Sequence, residues 1–219
     1  MASEGVRVLP ATRRKPRQSR ARASSEALQE AFVRVLIDKG YGGVTVREVA
    51  AVAGVGIGTF YEYVANKEAL AALTIHLRVK GLAQALSACT ERHKGQPLKT
   101  LVPALIDAQV DQVLGDAVSW AALFMLERQV STPEVYRKHY DQFVELWTQA
   151  LAAASDAPDA ARLPAMARMV HSLVYGWVTQ NLLTLGPELD RQALRTEVHL
   201  AVHSYLTGCS QQTVSGSSD

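Results

Sequence analysis

Apolar residues recur at helical spacing from about residue 24 to residue 207, and the breaks in that rhythm fall on proline, glycine or capping side chains. Leu28, Ala31, Phe32, Val35 and Leu36 stand at i, i+3, i+4, i+7 and i+8, one face of a helix that Ser24 or Ser25 can cap and Gly40 can close. Segments 97–114, 116–130, 133–154, 164–185 and 188–207 read the same way, with boundaries at Pro97, Asp116, Thr132-Pro133, Pro164 and Gly186-Pro187. In 164–185 the apolar residues cover much of the circumference, as in a helix buried on more than one side. No stretch alternates as a half-buried strand does, so the fold class is all-α.

Between the first helix and the long run that follows lies a tighter pattern. Thr45-x-x-Glu48 forms a capping box, in which Thr45 accepts from a free backbone N–H and Glu48 reaches back. Val46, Val49, Ala50 and Ala53 line the inner face of a short helix, and Gly54 supplies the left-handed backbone of a sharp turn. A second short helix runs from about Ile57 to Tyr63 with Phe60 and Val64 inward; Asn66 then caps a helix reaching about Arg92. Two short helices around a glycine turn are the helix-turn-helix arrangement, although spacing alone also fits other helical hairpins.

The formal charge of +2 conceals an asymmetry: seven cations against Glu4 alone give residues 1–22 a net +6, leaving −4 for the rest. A basic arm on an acidic body suits a polyanion partner, and a solubilising tail is the other reading. Pro10, Pro16 and the missing apolar period make residues 1–23 a flexible arm, and the Ser-, Gly- and Gln-rich residues 209–219 a disordered tail. No apolar run approaches the roughly 20 residues that span a bilayer, and the N-terminus lacks a signal-peptide core. Cys89 and Cys209 lie far apart in sequence and form no framework. A reduced, cytoplasmic protein without membrane contact is expected.

The run from Thr45 to Leu70, with Gly58-Thr59-Phe60-Tyr61 followed by Asn66-Lys67-Glu68-Ala69-Leu70, closely resembles the signature of the tetracycline-repressor family. The resemblance covers residues 26–72 and beyond them extends only to length and helical pattern. It implies a helix-turn-helix DNA-binding domain (24–70) joined by a long helix to a ligand-binding and dimerisation domain (71–208). It further implies phosphate contacts from Thr45, Tyr61, Tyr63 and Lys67, base-edge contacts from Ile57, Gly58 and Thr59, and a phosphate or base contact from Arg47. The sequence departs from the family at Gly56 and Ile57, where a capping Ser and a basic residue are common. Residues 45–70 carry a net −1, so attraction for phosphate is assigned to the arm, chiefly Arg13, Arg14, Lys15, Arg17 and Arg20.

The implied ligand domain is rich in candidate wall residues. Trp120, Phe124, Tyr136, Tyr140, Phe143, Trp147, Met169 and Trp177 are expected around a cavity, with Gln109, Arg128, His171 and Asn181 orienting an apolar effector. An ordinary core is the other reading of the same aromatics. His199 and His203 share a helical face, but no further ligand completes a metal site, and Cys89 reads as a plain buried thiol. No catalytic constellation is visible, and no metal or cofactor is expected. The expected protein is a homodimer through its last two helices, a repressor released from a palindromic DNA operator when a small effector moves the long helix after Lys67. Two alternatives stay open: a non-specific architectural DNA binder, or a ligand carrier or enzyme with an inactive head.

Overall fold

The computed structural model describes residues 15–215, with side chains over 21–211; Arg13 and Arg14 lie outside it, as do the side chains of Lys15, Arg17 and Arg20. The described chain is helical throughout: α1 (Lys15–Gly43), α2 (Val46–Ala53), α3 (Ile57–Tyr63), α4 (Lys67–His93), α5 (Leu98–Leu114), α6 (Ala117–Val130), α7 (Pro133–Ala152), α8 (Leu163–Leu185) and α9 (Arg191–Ser215).

Both ends are more helical than the sequence suggests. The chain enters α1 at Lys15, not at Ser24 or Ser25, so residues 15–23 of the expected arm are helix. Pro16 falls in the first turn, where a missing N–H costs nothing, and the Arg, Gln and Ala that follow favour helix. Arg22 and Glu26 pair across one turn at 2.7 Å. At the other end, α9 runs through Ser215, so residues 209–215 of the expected tail are helix too. Buried Leu194, Val198, Val202 and Leu206 hold this helix to the body along one stripe. It starts later than expected: Gly186–Glu188 form a 3-10 turn, and Asp190 caps α9 by accepting from the N–H groups of Gln192 and Ala193 at 2.9 and 3.0 Å.

Local chemistry fixes the junctions of the head. Gly40 takes a positive φ of 67° and ends the main run of α1. Thr45 caps α2 by accepting from the Glu48 N–H at 3.2 Å, but the other half of the expected box is spent elsewhere, since the Glu48 carboxylate pairs with Lys39 of α1. Gly54 closes α2 at φ 69°, ψ 28°. A Cβ there would meet no atom within 4 Å, so the backbone alone resists substitution. Gly54→Ala should therefore lower unfolding stability by about 1–2 kcal/mol in denaturant titrations.

Two cores result. One joins α1–α3 and the start of α4: Leu28, Phe32, Val35, Leu36, Val49, Phe60, Leu70 and Ile75. It also takes in Leu123 and Leu126 from α6. The other fills the body between α4, α5 and α6–α9, with Trp147, Leu105, Val170 and Val174 fully buried. Val79, on α4, packs against both. Arg78 of α4 also reaches Asp116, just ahead of α6, at 2.9 Å. Pro97 gives α5 no side-chain cap; Asp156, beyond α7, accepts from the Leu98 N–H at 2.7 Å instead.

Candidate DNA-reading head and ligand cavity

α3 is two-faced. Phe60 is fully buried and Val64 is buried at its end, while Ile57 and Tyr61 stand out at 45% and 56% exposure and Gly58 is exposed beside them. The Phe60 ring meets the base of Tyr61 edge-on, 5.4 Å between centroids. Thr59 and Tyr63 are half-buried at the flanks. Arg47 and Thr45 are exposed on α2 and its cap. Thr45 uses a lone pair on Glu48 N–H, which leaves its hydroxyl hydrogen free to donate. These sequence-predicted residues therefore share one end of the head. As the departure at Gly56 suggested, α3 has no side-chain cap, so its N-terminal amides stay open.

Lys67 is placed differently. Its ammonium lies 3.4 Å from the carbonyls of both Tyr41 and Val44 and 4.7 Å over the Tyr41 ring. The charge is engaged with the turn between α1 and α2, a contact between residues 26 positions apart that no local pattern announces.

In the body, α4–α8 leave a cavity whose open space, with the solvent at its mouth included, is about 620 Å³. Gln109, Trp120, Phe124, Tyr140, Phe143 and His171, all expected there, line it. Five other expected residues do not. Trp147 is wholly inside the body core. Met169 and Trp177 face outward, on the opposite side of α8 from His171. Arg128 and Asn181 turn back on their own helices, donating to the Phe124 and Trp177 carbonyls at 3.1 and 2.9 Å. Beside Tyr136, another of the aromatics expected around the cavity, the wall includes residues the sequence reading missed: Val79, Leu82, Val113, Glu127, His139, Tyr175, Val178 and Thr179. An acidic residue on the inward face of α6 and a hydroxyl among the valines of α8 were the available signals.

Aromatic packing dominates this site. The His171 ring lies parallel to Phe143, 5° apart in plane and 5.5 Å between centroids, with Tyr140 and Tyr175 at 5.3 and 5.7 Å. Glu127 and His139 bond at 2.8 Å near the mouth. The Tyr136 hydroxyl donates to that of Tyr175 at 3.4 Å, and burial raises the Tyr175 phenol well above its ordinary range.

Burial also pushes the His171 imidazole down to about 4 from 6.5. The unfolded chain thus binds a proton that the fold refuses. Stability from this group is complete above pH 6.5 and is lost as pH falls through 4, amounting to about 3 kcal/mol. Denaturation at pH 7 and pH 4 should show this loss, and His171→Phe should lack that share of it.

Residues 28–73 match the family model described as bacterial regulatory proteins, tetR family. Its helix-turn-helix head therefore carries the tetR-family signature. No curated protein matches it. Among solved structures, the TetR family transcription regulator of Marinobacter aquaeolei VT8 is 16% identical with a TM-score of 0.66, over 85% of this chain and 97% of that one. The fatty acid degradation regulator FadR of Bacillus halodurans is 19% identical with a TM-score of 0.64, over 81% and 96%. The transcriptional regulator FadR of Bacillus subtilis, in complex with stearoyl-CoA, is 20% identical with a TM-score of 0.60, over 81% and 96%. At such identities the likeness is one of fold alone, and it spans both head and body. No helix among the described residues is long and apolar enough to cross a membrane. His199, one half of the histidine pair set aside as a metal site, bonds Asp107 at 2.9 Å, and no group of three potential ligands gathers among the described residues.

Proposed function

We propose that the chain is a tetR-family regulator, a dimeric repressor that reads a near-palindromic operator with α3 and is released by a small, largely apolar effector in the body cavity. The observation that carries the reading is the division of α3: its buried side fixes the helix to the head, while Ile57, Gly58 and Tyr61 face outward with half-buried Thr59 beside them, open to bases and phosphates. Basic residues ahead of the head, Arg13, Arg14, Lys15 and Arg17, supply the attraction for phosphate that the acidic body withholds.

Dimerisation through α8 and α9 is supported by what their outer faces display. Met169 and Trp177 of α8 are strongly exposed, and Leu200 of α9 is 63% exposed. Small residues, Gly176, Ala193, Ala201 and Gly208, surround them and allow close helix approach. A two-fold copy of the chain would bury this surface and set two reading heads on one duplex.

Ligand control follows from shared helices. α4 contributes Leu70 and Ile75 to the head core and Leu82 to the cavity wall. α6 contributes Leu123 and Leu126 to the head core and Trp120, Phe124 and Glu127 to the wall. A ligand that displaces either helix moves the head, and a coupling of about 1–3 kcal/mol would shift operator occupancy about 5–150-fold. Stearoyl-CoA, seen with the Bacillus subtilis protein, is not carried over, because no Lys or Arg lines this cavity.

Selection from a random double-stranded DNA pool at near-physiological salt tests the proposal. A two-fold symmetric site should be enriched, and Tyr61→Ala should weaken it by about tenfold or more, as loss of a hydrogen bond to a charged phosphate worth about 1.5–3 kcal/mol requires. Retention without any enriched sequence would replace it with non-specific binding driven by the basic segment.

A further inference from the structure

Buried polar atoms that lack a protein partner are few among the described residues, and most of them gather in one place. Gln109 Oε1, His171 Nδ1 and Thr179 Oγ1 all belong to the cavity wall, whereas Tyr41 and Trp147 contribute the others. The three wall residues are 5%, 4% and 2% exposed. Each such atom costs a fold free energy that an apolar residue of the same shape would save. α5 and α8 thus place three residues with costly unpartnered groups in the wall of one space, alongside Trp120, Phe124 and Phe143.

Their chemistry limits what can occupy that space. The Gln109 carbonyl oxygen only accepts, so it calls for an N–H or O–H on the ligand. A hydroxyl at Thr179 and a neutral imidazole at His171 can donate or accept and adjust to either. The wall contains no Lys or Arg, and nearby Arg128, which acts on the Tyr175 phenol, is turned to the Phe124 carbonyl, so a carboxylate or phosphate entering the cavity would lose its hydration with no cation in contact. Its one carboxylate, Glu127, is already bonded to His139 at 2.8 Å, which leaves little for an ammonium ion to win. Aromatic side walls favour a flat, polarisable partner.

We infer that the cavity is built for an uncharged aromatic molecule bearing a hydroxyl or N–H donor, held by Gln109, His171 and Thr179, and that it rejects both carboxylates and ammonium ions. The inference rests on reading this cavity as the effector site.

Four probes of one shape test it by isothermal titration calorimetry at pH 7 on the full chain: naphthalene, 2-naphthol, 2-naphthoate and 2-naphthylmethylammonium. 2-Naphthol should bind about tenfold more tightly than naphthalene, and the two ions more weakly than either. Gln109→Leu should lower 2-naphthol affinity about threefold to tenfold and leave naphthalene unchanged. Independently, Thr179→Val should raise the melting temperature of the ligand-free protein by about 2–4 °C, since it removes an unpaired buried hydroxyl without changing shape. Preference for either ion, no distinction between naphthalene and 2-naphthol, no heat from any probe, or an unchanged or lower melting temperature for Thr179→Val would overturn the inference. The DNA selection on the same preparation without probe reports separately on the regulator reading.

Discussion

Truncating Phe60 to alanine is expected to cost the fold about 3–5 kcal/mol and to abolish DNA binding, although the ring never faces solvent. Phe60 is the largest side chain that α3 sends into the head core, where it is fully buried with Leu28, Phe32 and Leu70. Its removal leaves a void that a three-helix head has little other apolar volume to fill. Such a loss is comparable with the whole stability of many domains. Tyr61, one residue along, should behave oppositely: with most of its side chain in water, Tyr61→Ala should move stability by less than about 0.5 kcal/mol while removing a contact to the operator. Urea titrations followed by circular dichroism separate the two. If Phe60→Ala unfolded at the same urea concentration as the parent, the account of how α3 is held would be wrong.

Trp147 carries the second large effect. It is the bulkiest fully buried residue of the body, so Trp147→Ala should also cost about 3–5 kcal/mol. Trp147→Phe should cost much less, because it keeps a ring in place and removes an indole N–H that has no partner in the fold. Were Trp147 a wall of the cavity instead, its truncation would enlarge the binding space and spare stability; calorimetric melting of both variants decides between these.

That misplacement marks where the sequence stops being informative. Helical spacing identified the inward face of α1 residue by residue, and Leu28, Ala31, Phe32, Val35 and Leu36 are all buried. Cap chemistry located Thr45, Gly54 and Asn66 correctly, because a cap is a contact within three or four residues. Periodicity says that a residue faces inward, but not whether a neighbour or a void meets it there. Trp147 and Phe143 share a face of α7 and the same core, yet only Phe143 also meets the cavity. Met169 and Trp177 were apolar for another reason, since they form an outer face that the single chain leaves open. Polar residues were misjudged in the other direction: Arg128 and Asn181 satisfy themselves on their own helices, whereas Glu127, His139 and Thr179 are shielded by packing from distant segments. The tie from Lys67 to the turn after α1 is equally non-local.

The two leucines that α6 lends to the head have a consequence for exchange of parts between relatives. A chimera cut just before α4, giving this head to a body of the same fold, would leave Leu123 and Leu126 behind and present the transplanted core with a foreign surface. The head is therefore not a detachable cartridge. Its natural graft boundary is a patch rather than a point in the chain, and exchanges that carry the 122–130 face of α6 together with residues up to Val79 should survive where simple fusions fail.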